Sequence, residues 1–243
     1  MSAPDPTPVL TPARRTRIKV CGVRDAATAE AAVRAGADAV GLVFVAASPR
    51  AVDVDAARRV VAALPAFVEP VGLFVDEDPG RIMEVATALS LRTVQLHGRE
   101  TPGHVAELAP LRVIKALAFG EAGEAAATLG MWTHSRPANL AAVLFDAPPP
   151  PDAATTGGTG RTFDWRGLAR LEAEGALADL PPVILAGGLT PANVAEAIGI
   201  VKPYAVDVSS GVESSKGVKD TGKIEAFCRA VRSMDHNGAV AAR

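Results

Sequence analysis

From Ile18 onward the chain alternates short β-branched runs with Ala-rich segments of helical period, and eight such units can be counted. Strands that alternate with helices pair in parallel, each helix crossing back over the sheet. The expected strands are RIKVC (17 to 21), AVGLVF (39 to 44), PVGLFV (70 to 75), TVQL (93 to 96), RVIKA (112 to 116), AVLFD (142 to 146), VILA (183 to 186) and YAVDV (204 to 208). Between them, Asp25 is placed to cap a helix that Gly36 ends, Pro79 and Pro102 suit first helical turns, and Thr190 with Pro191 repeats the pattern. Apolar residues then recur at helical spacing, as in Ile82, Val85, Ala86 and Leu89, or Ile224, Phe227, Cys228 and Val231.

Eight β/α units in 243 residues point to a closed barrel, since an open doubly wound sheet usually has fewer strands and a GxGxxG after its first strand, which is absent. The expected fold class is α/β, a single (β/α)8 TIM barrel over residues 17 to 232. A Pro-rich, flexible extension (1 to 16) is expected before it and a C-terminal tail (233 to 243) after it. The stretch APPPPDAATTGGTG (147 to 160) falls between strand 6 and helix 6, where it reads as an active-site loop rather than an interdomain linker.

Charge narrows the partners. With 25 Lys+Arg against 27 Asp+Glu there is no global field to draw the chain to nucleic acid or an anionic membrane. No apolar run has transmembrane length, and the N-terminal stretch lacks a secretory apolar core, so a cytoplasmic protein is expected. Two cysteines, Cys21 and Cys228, are too few for a disulfide framework. No HxH, HExxH or CxxC is present, and no metal is expected.

In such a barrel, chemistry collects at the C-terminal ends of the strands. There stand Cys21-Gly22, Ser48-Pro49-Arg50, Asp76, Gln95-Leu96-His97-Gly98, Lys115, Asp146, Gly187-Gly188, and Asp207 followed by Ser209-Ser210-Gly211. The glycine-bearing turns GGTG (with Gly158 and Gly160), AGG (with Gly187 and Gly188) and SSG (with Gly211) let backbone N–H groups approach an anion, although a lone glycine pair is often only a tight turn. Three at these positions imply a phosphorylated small-molecule substrate.

Lys19 lies two residues before Cys21, so both side chains share one face, and a neighbouring ammonium is expected to favour the thiolate. A strand-end cysteine is otherwise more often inert packing, as Cys228 on its apolar helix face illustrates. Asp146 suits a helix cap or loop bond as well as a partly desolvated carboxyl able to donate a proton. Arg50 offers a planar fork for a substrate carboxylate, or simply a solvated charge. His97 in QLHG is expected to shape the strand-4 turn.

The strings IKVCG, GLVFVAASPRAV, VGLFVDE, VQLHG, LFDA, GGTGRTFDW, ILAGGLTPANV and AVDVSSGVE resemble, in order and spacing, the motifs of the phosphoribosylanthranilate isomerase family over about residues 17 to 232. The resemblance implies a cofactor-independent Amadori rearrangement in tryptophan biosynthesis. It implies Asp146 as general acid, Cys21 as general base and Arg50 on the anthranilate carboxylate. Gly187-Gly188 and Ser209-Ser210-Gly211 would hold the phosphate, Asp207 the sugar hydroxyls, and Lys19 would tune Cys21. The family often has Pro where Lys216 stands. A monomer or homodimer is expected.

Other phosphosugar barrels fit less well. Indole-glycerol-phosphate synthase would call for a lysine general acid and a glutamate, ribulose-phosphate epimerase for metal-binding histidines, and a dual-substrate isomerase for an aspartate ending strand 1. A catalytically silent barrel would be supported by loss of Cys21 or Asp146, and both are present.

Overall fold

The computed structural model describes residues 15 to 120, 129 to 148 and 160 to 240. Its eight parallel strands close into a barrel in sequence order. They are β1 (Arg17–Cys21), β2 (Ala39–Val43), β3 (Glu69–Phe74), β4 (Thr93–Leu96), β5 (Arg112–Ala118), β6 (Leu140–Asp146), β7 (Val183–Leu185) and β8 (Ala205–Val208). β8 closes on β1 with Asp207 opposite Lys19. Outside the barrel lie α1 (Ala26–Ala35), α2 (Val54–Ala62), α3 (Pro79–Leu89), α4 (Pro102–Glu107), α5 (helical over 129 to 134), α6 (Trp165–Ala173), α7 (Val194–Val201) and α8 (Thr221–Val240).

Period-2 alternation divides each strand between two cores. Outward residues such as Ile18, Val20, Val40 and Leu42 join the helices' apolar faces, including Ile82, Val85, Ala86 and Leu89 of α3 and Ile224, Phe227, Cys228 and Val231 of α8. Inward residues Val71, Ile114, Ala116, Ala142, Leu144, Ile184, Ala186 and Ala205 fill the lumen. Above them Cys21, Val43 and Leu73 form a further apolar layer. The filled lumen gives the C-terminal end of the strands a floor on which a site can sit.

The helix starts follow their chemistry. The side chain of Asp25 accepts from the Thr28 N–H, and Gly36 ends α1 in the left-handed region at φ 98°. Asp78 and Thr101 cap helices that begin with Pro79 and Pro102. At Thr190-Pro191 the expected helix begins late, at Val194. Asn193 accepts from the Thr190 N–H and donates to the Gly188 carbonyl, so its side chain builds a turn before the helix. α8 continues to Val240, past the expected end of the barrel domain at 232, and Asp235 accepts from the Thr16 N–H. Strand bounds differ from expectation by one or two residues, as at β3, β5 and β6. Among the described residues no helix is long and apolar enough to cross a membrane.

Candidate active site

A cavity of about 520 Å³ opens at the C-terminal ends of the strands. Cys21, Arg50, Gln95, His97, Asp146, Gly187, Gly188, Asp207, Ser209, Ser210 and Gly211 line it. Alternation explains the selection. Asp146 shares parity with Leu144, Asp207 with Ala205, and Gln95 is in register with Ile114, all inward-facing, while Cys21 lies two residues beyond Lys19, which meets Asp207. Gly158 lies outside the described residues. Gly160, at φ 75°, is near Ser210, whose hydroxyl would lie 3.9 Å from a Cβ at that glycine.

Cys21 ends β1 beneath this cavity and is 4% exposed. The close approach of β2 is possible because residue 41 is glycine, where a Cβ would sit 2.7 Å from the Cys21 sulfur. Lys19 lies below on the same face and donates from Nζ to Asp207 Oδ1 at 2.8 Å, both groups being buried. Burial works against the Lys19 charge, but Asp207 and Cys21 outweigh it and hold the ammonium pKa above its ordinary value.

For Cys21 the balance runs the other way from the expected one. Burial pushes the thiol pKa up, Asp207 adds to that, and the lowering by Lys19 and Lys219 only partly offsets them. The expectation that Lys19 makes the resting thiol more acidic than usual is corrected, because Lys19 arrives with Asp207 attached and in a desolvated layer. Cys228, buried on α8, is pushed up to about 11 by burial, with Arg232 offsetting this only in part and Asp38 adding to it.

Asp146 ends β6. Its Oδ1 accepts from the Ala147 N–H at 2.8 Å, and Oδ2 lies 3.3 Å from His97 Nε2, with both side chains largely enclosed. The local cap and the cavity-facing carboxyl are thus one residue. His97 does shape the β4 turn, its N–H donating to the Phe74 carbonyl, yet it also reaches the cavity beside Asp146. Gln95 Nε2 is 3.1 Å from His97 Nδ1, while Gln95 Oε1 is buried without a hydrogen-bond partner.

Arg50 is where the structure changes the expected picture most. It is 7% exposed, and its Nε and Nη2 donate to the two carboxylate oxygens of Glu213 at 2.7 and 3.0 Å. The edge expected to meet a ligand carboxylate in bidentate fashion is already engaged by the protein, which leaves Nη1 for a ligand. Lys219 Nζ also donates to Glu213 Oε1, at 2.9 Å. These hydrogen bonds and the Lys219 charge outweigh burial and hold the Glu213 carboxyl at about 2. Glu213 and Lys219 were not singled out from sequence, because Glu213 meets Arg50 across 163 positions and Lys219 joins through Glu213, so no local spacing announces the contact.

Lys115 stands near a strand end but not in the site. It shares parity with outward residues of β5, and its Nζ donates to the carbonyls of Leu96 (3.4 Å) and Gly98 (2.8 Å) and to Glu100 Oε2 (2.6 Å). Glu100 in turn accepts from the Asp76 and Gly98 N–H groups. The pair pegs the β4 turn from behind.

The glycine turns expected to hold an anion meet after β7 and β8. Gly187 and Gly188 both have positive φ, and a Cβ at Gly188 would meet the Arg161 carbonyl at 2.6 Å. At Gly211 a Cβ would lie 1.8 Å from the Leu189 carbonyl oxygen, so the two turns pack backbone to backbone. Among the described residues, no group of three or more His, Cys, Asp or Glu side chains is arranged to hold a metal ion.

Comparison with known proteins agrees with this geometry. The family model for N-(5'phosphoribosyl)anthranilate isomerase matches residues 18–230. The isomerase of Pseudomonas fluorescens is 44% identical over 225 residues, covering 91% of this chain and 98% of that protein. That of Pseudomonas aeruginosa is 45% identical over 222 residues, with 89% and 95% covered. The crystal structure of the isomerase from Thermotoga maritima superposes with a TM-score of 0.77 at 36% identity, covering 90% of this chain and 99% of that one. A phosphoribosyl anthranilate isomerase in complex with reduced 1-(o-carboxyphenylamino)-1-deoxyribulose 5-phosphate does so with a TM-score of 0.75 at 34% identity over the same shares. The chain belongs to the N-(5'-phosphoribosyl)anthranilate isomerase family.

Proposed function

We propose that this chain carries out the Amadori rearrangement of N-(5-phosphoribosyl)anthranilate to 1-(2-carboxyphenylamino)-1-deoxyribulose 5-phosphate, with Asp146 as general acid and Cys21 as general base. The observation that carries the reading is that these two groups, from β6 and β1, face one cavity whose rim holds both a cation and paired glycine turns. Protonated Asp146 donates to the ring oxygen. The C1–O bond breaks while the anthranilate nitrogen lone pair forms the cationic Schiff base. Cys21 as thiolate then takes the C2 proton, and the C2–H electrons neutralise the iminium to an enolamine, which tautomerises to the ketone. The substrate is its own electron sink, so the chemistry calls for no cofactor.

Burial disfavours the resting thiolate. The positive charge that develops on the Schiff-base nitrogen joins Lys19 and Lys219 in favouring it during the step that needs it. Arg50, through Nη1, meets the anthranilate carboxylate. Gly187-Gly188 and Ser209-Ser210-Gly211 hold the phosphate, with Gly158 and Gly160 contributing from the preceding loop. Asp207, steadied by Lys19, meets sugar hydroxyls. Gripping both ends keeps the central carbons between acid and base. The functional form is a cytoplasmic monomer or homodimer, which light scattering on the purified chain resolves.

The test follows the fluorescence of N-(5-phosphoribosyl)anthranilate, generated in place, with wild type and with Cys21→Ala and Asp146→Ala. Turnover by wild type without added cofactor, reduced at least about a thousandfold in each variant, is expected. A folded wild type with no turnover, or a Cys21→Ala variant within tenfold of it, contradicts the reading.

A further inference from the structure

β9 (Glu213–Ser215) and β10 (Val218–Lys219) form a small antiparallel hairpin outside the barrel, between β8 and α8. Its first and last residues turn back toward the cavity rim. Glu213 receives both nitrogens of the Arg50 fork, Lys219 Nζ, and the Gly217 N–H at 3.1 Å. Lys219 donates again to the Ser209 carbonyl at 2.9 Å and to its hydroxyl at 3.3 Å. The Ser209 hydroxyl donates to the Cys21 carbonyl at 3.1 Å. The hairpin turn is seated on the residue before Arg50, since a Cβ at Gly217 would lie 2.5 Å from the Pro49 carbonyl oxygen. One buried carboxylate therefore joins the arm after β2, the turn after β8 and, through Ser209, the end of β1.

We infer that Glu213 and Lys219 are a positioning pair that fixes the distance between the two anion-gripping ends of the site, Arg50 and the 209 to 211 turn. This rests on the isomerase reading, in which those ends hold the substrate carboxylate and phosphate. Two cations share one carboxylate, so the trio keeps one positive charge beside the places where the ligand's two anionic groups would sit. Charge alone and geometry alone then make opposite forecasts. If Glu213 matters only through its charge, removing it exposes more positive potential and tightens anion binding. If it holds the ends in place, removing it frees the Arg50 side chain and the 209 to 211 turn, and ordering them again on binding weakens affinity despite the added charge.

The deciding experiment compares wild type with Glu213→Gln, which keeps shape and loses charge, and Glu213→Asp, which keeps charge and shortens the arm by one methylene. Steady-state kinetics give KM and kcat, and calorimetry with inorganic phosphate at fixed ionic strength reads one end without turnover. Both variants are expected to raise KM about tenfold and weaken phosphate binding about threefold, with kcat falling less than KM rises. Lys219→Arg, which keeps charge and alters reach, is expected to weaken phosphate similarly and serves if a Glu213 variant fails to fold. Tighter phosphate binding in Glu213→Gln, or unchanged KM and phosphate affinity in Glu213→Asp or unchanged phosphate affinity in Lys219→Arg, overturns the inference. A wild type that binds phosphate but turns over no substrate defeats the isomerase reading instead, and the phosphate series still decides between holding and charge.

Discussion

Two buried lysine–carboxylate pairs sit at the same end of the barrel and do different things. Lys19–Asp207 joins neighbouring strands across the closing seam of the barrel and faces the lumen, directly beneath Cys21. Lys115–Glu100 faces outward and spends its donors on the carbonyls of the β4 turn. Strand parity is what separates them: shift either lysine by one residue and the roles exchange. A buried ion pair by itself is therefore weak evidence for a site. Its side of the sheet decides whether its field reaches a reacting atom or only holds a loop.

The largest expected effect is shared by the two pairs. Replacing either lysine by Met leaves a buried carboxylate without its cation, which costs about 3–5 kcal/mol. Melting curves should fall by roughly 10 °C in both Lys19→Met and Lys115→Met. A drop in only one of them would break the symmetry of the two pairs as stabilising contacts.

A smaller effect separates them. The Cys21 thiol sits above its ordinary value of 9.0 because of burial, and Lys19 is the larger of the two lysine charges that hold it down. In Lys19→Met the thiolate absorbance, read against Cys21→Ala, should appear at higher pH than in wild type, and turnover near neutral pH should fall with the thiolate fraction. In Lys115→Met the titration should stay where it is. Equal movement in both variants would mean that the seam pair has no special access to Cys21.

The smallest effect concerns the third buried cluster. Glu213 has its pKa lowered from 4.5 to about 2, so its contribution to stability is complete above pH 4.5 and is lost as pH falls toward 2. Urea unfolding over that window should be steeper in pH for wild type than for Glu213→Gln. Parallel slopes would show that the carboxylate keeps an ordinary acidity.

Much of this was legible in the chain. Eight β-branched runs with capped helices between them gave the strand order, because period-2 and period-3.6 patterns are local and each strand has a filled core on both faces. The cavity residues Cys21, Asp146, Gly187, Gly188 and Asp207 could be placed for the same reason: strand ends are where such a barrel opens. What sequence could not supply were energies set by distant partners. Lys19 beside Cys21 was visible, but the Asp207 that occupies it enters from β8, and the burial of the thiol depends on the approach of Gly41. The engagement of Arg50 by Glu213 and the outward turn of Lys115 onto Gly98 likewise depend on contacts between separate strand ends. Thr190-Pro191 misplaced a helix start because the Asn193 side chain competes for the backbone groups there.

The central claim is that the acid and base from β6 and β1 flank a substrate held at both ends. A crystal structure of the protein with a reduced product analogue tests it most directly. The phosphate is expected on the 187 to 188 and 209 to 211 turns, the carboxylate on Arg50, and the Cys21 sulfur within about 3.5 Å of C2, a near-attack separation. A ligand bound in the reverse sense, with its phosphate on Arg50, or with C2 out of reach of the Cys21 sulfur, would contradict it.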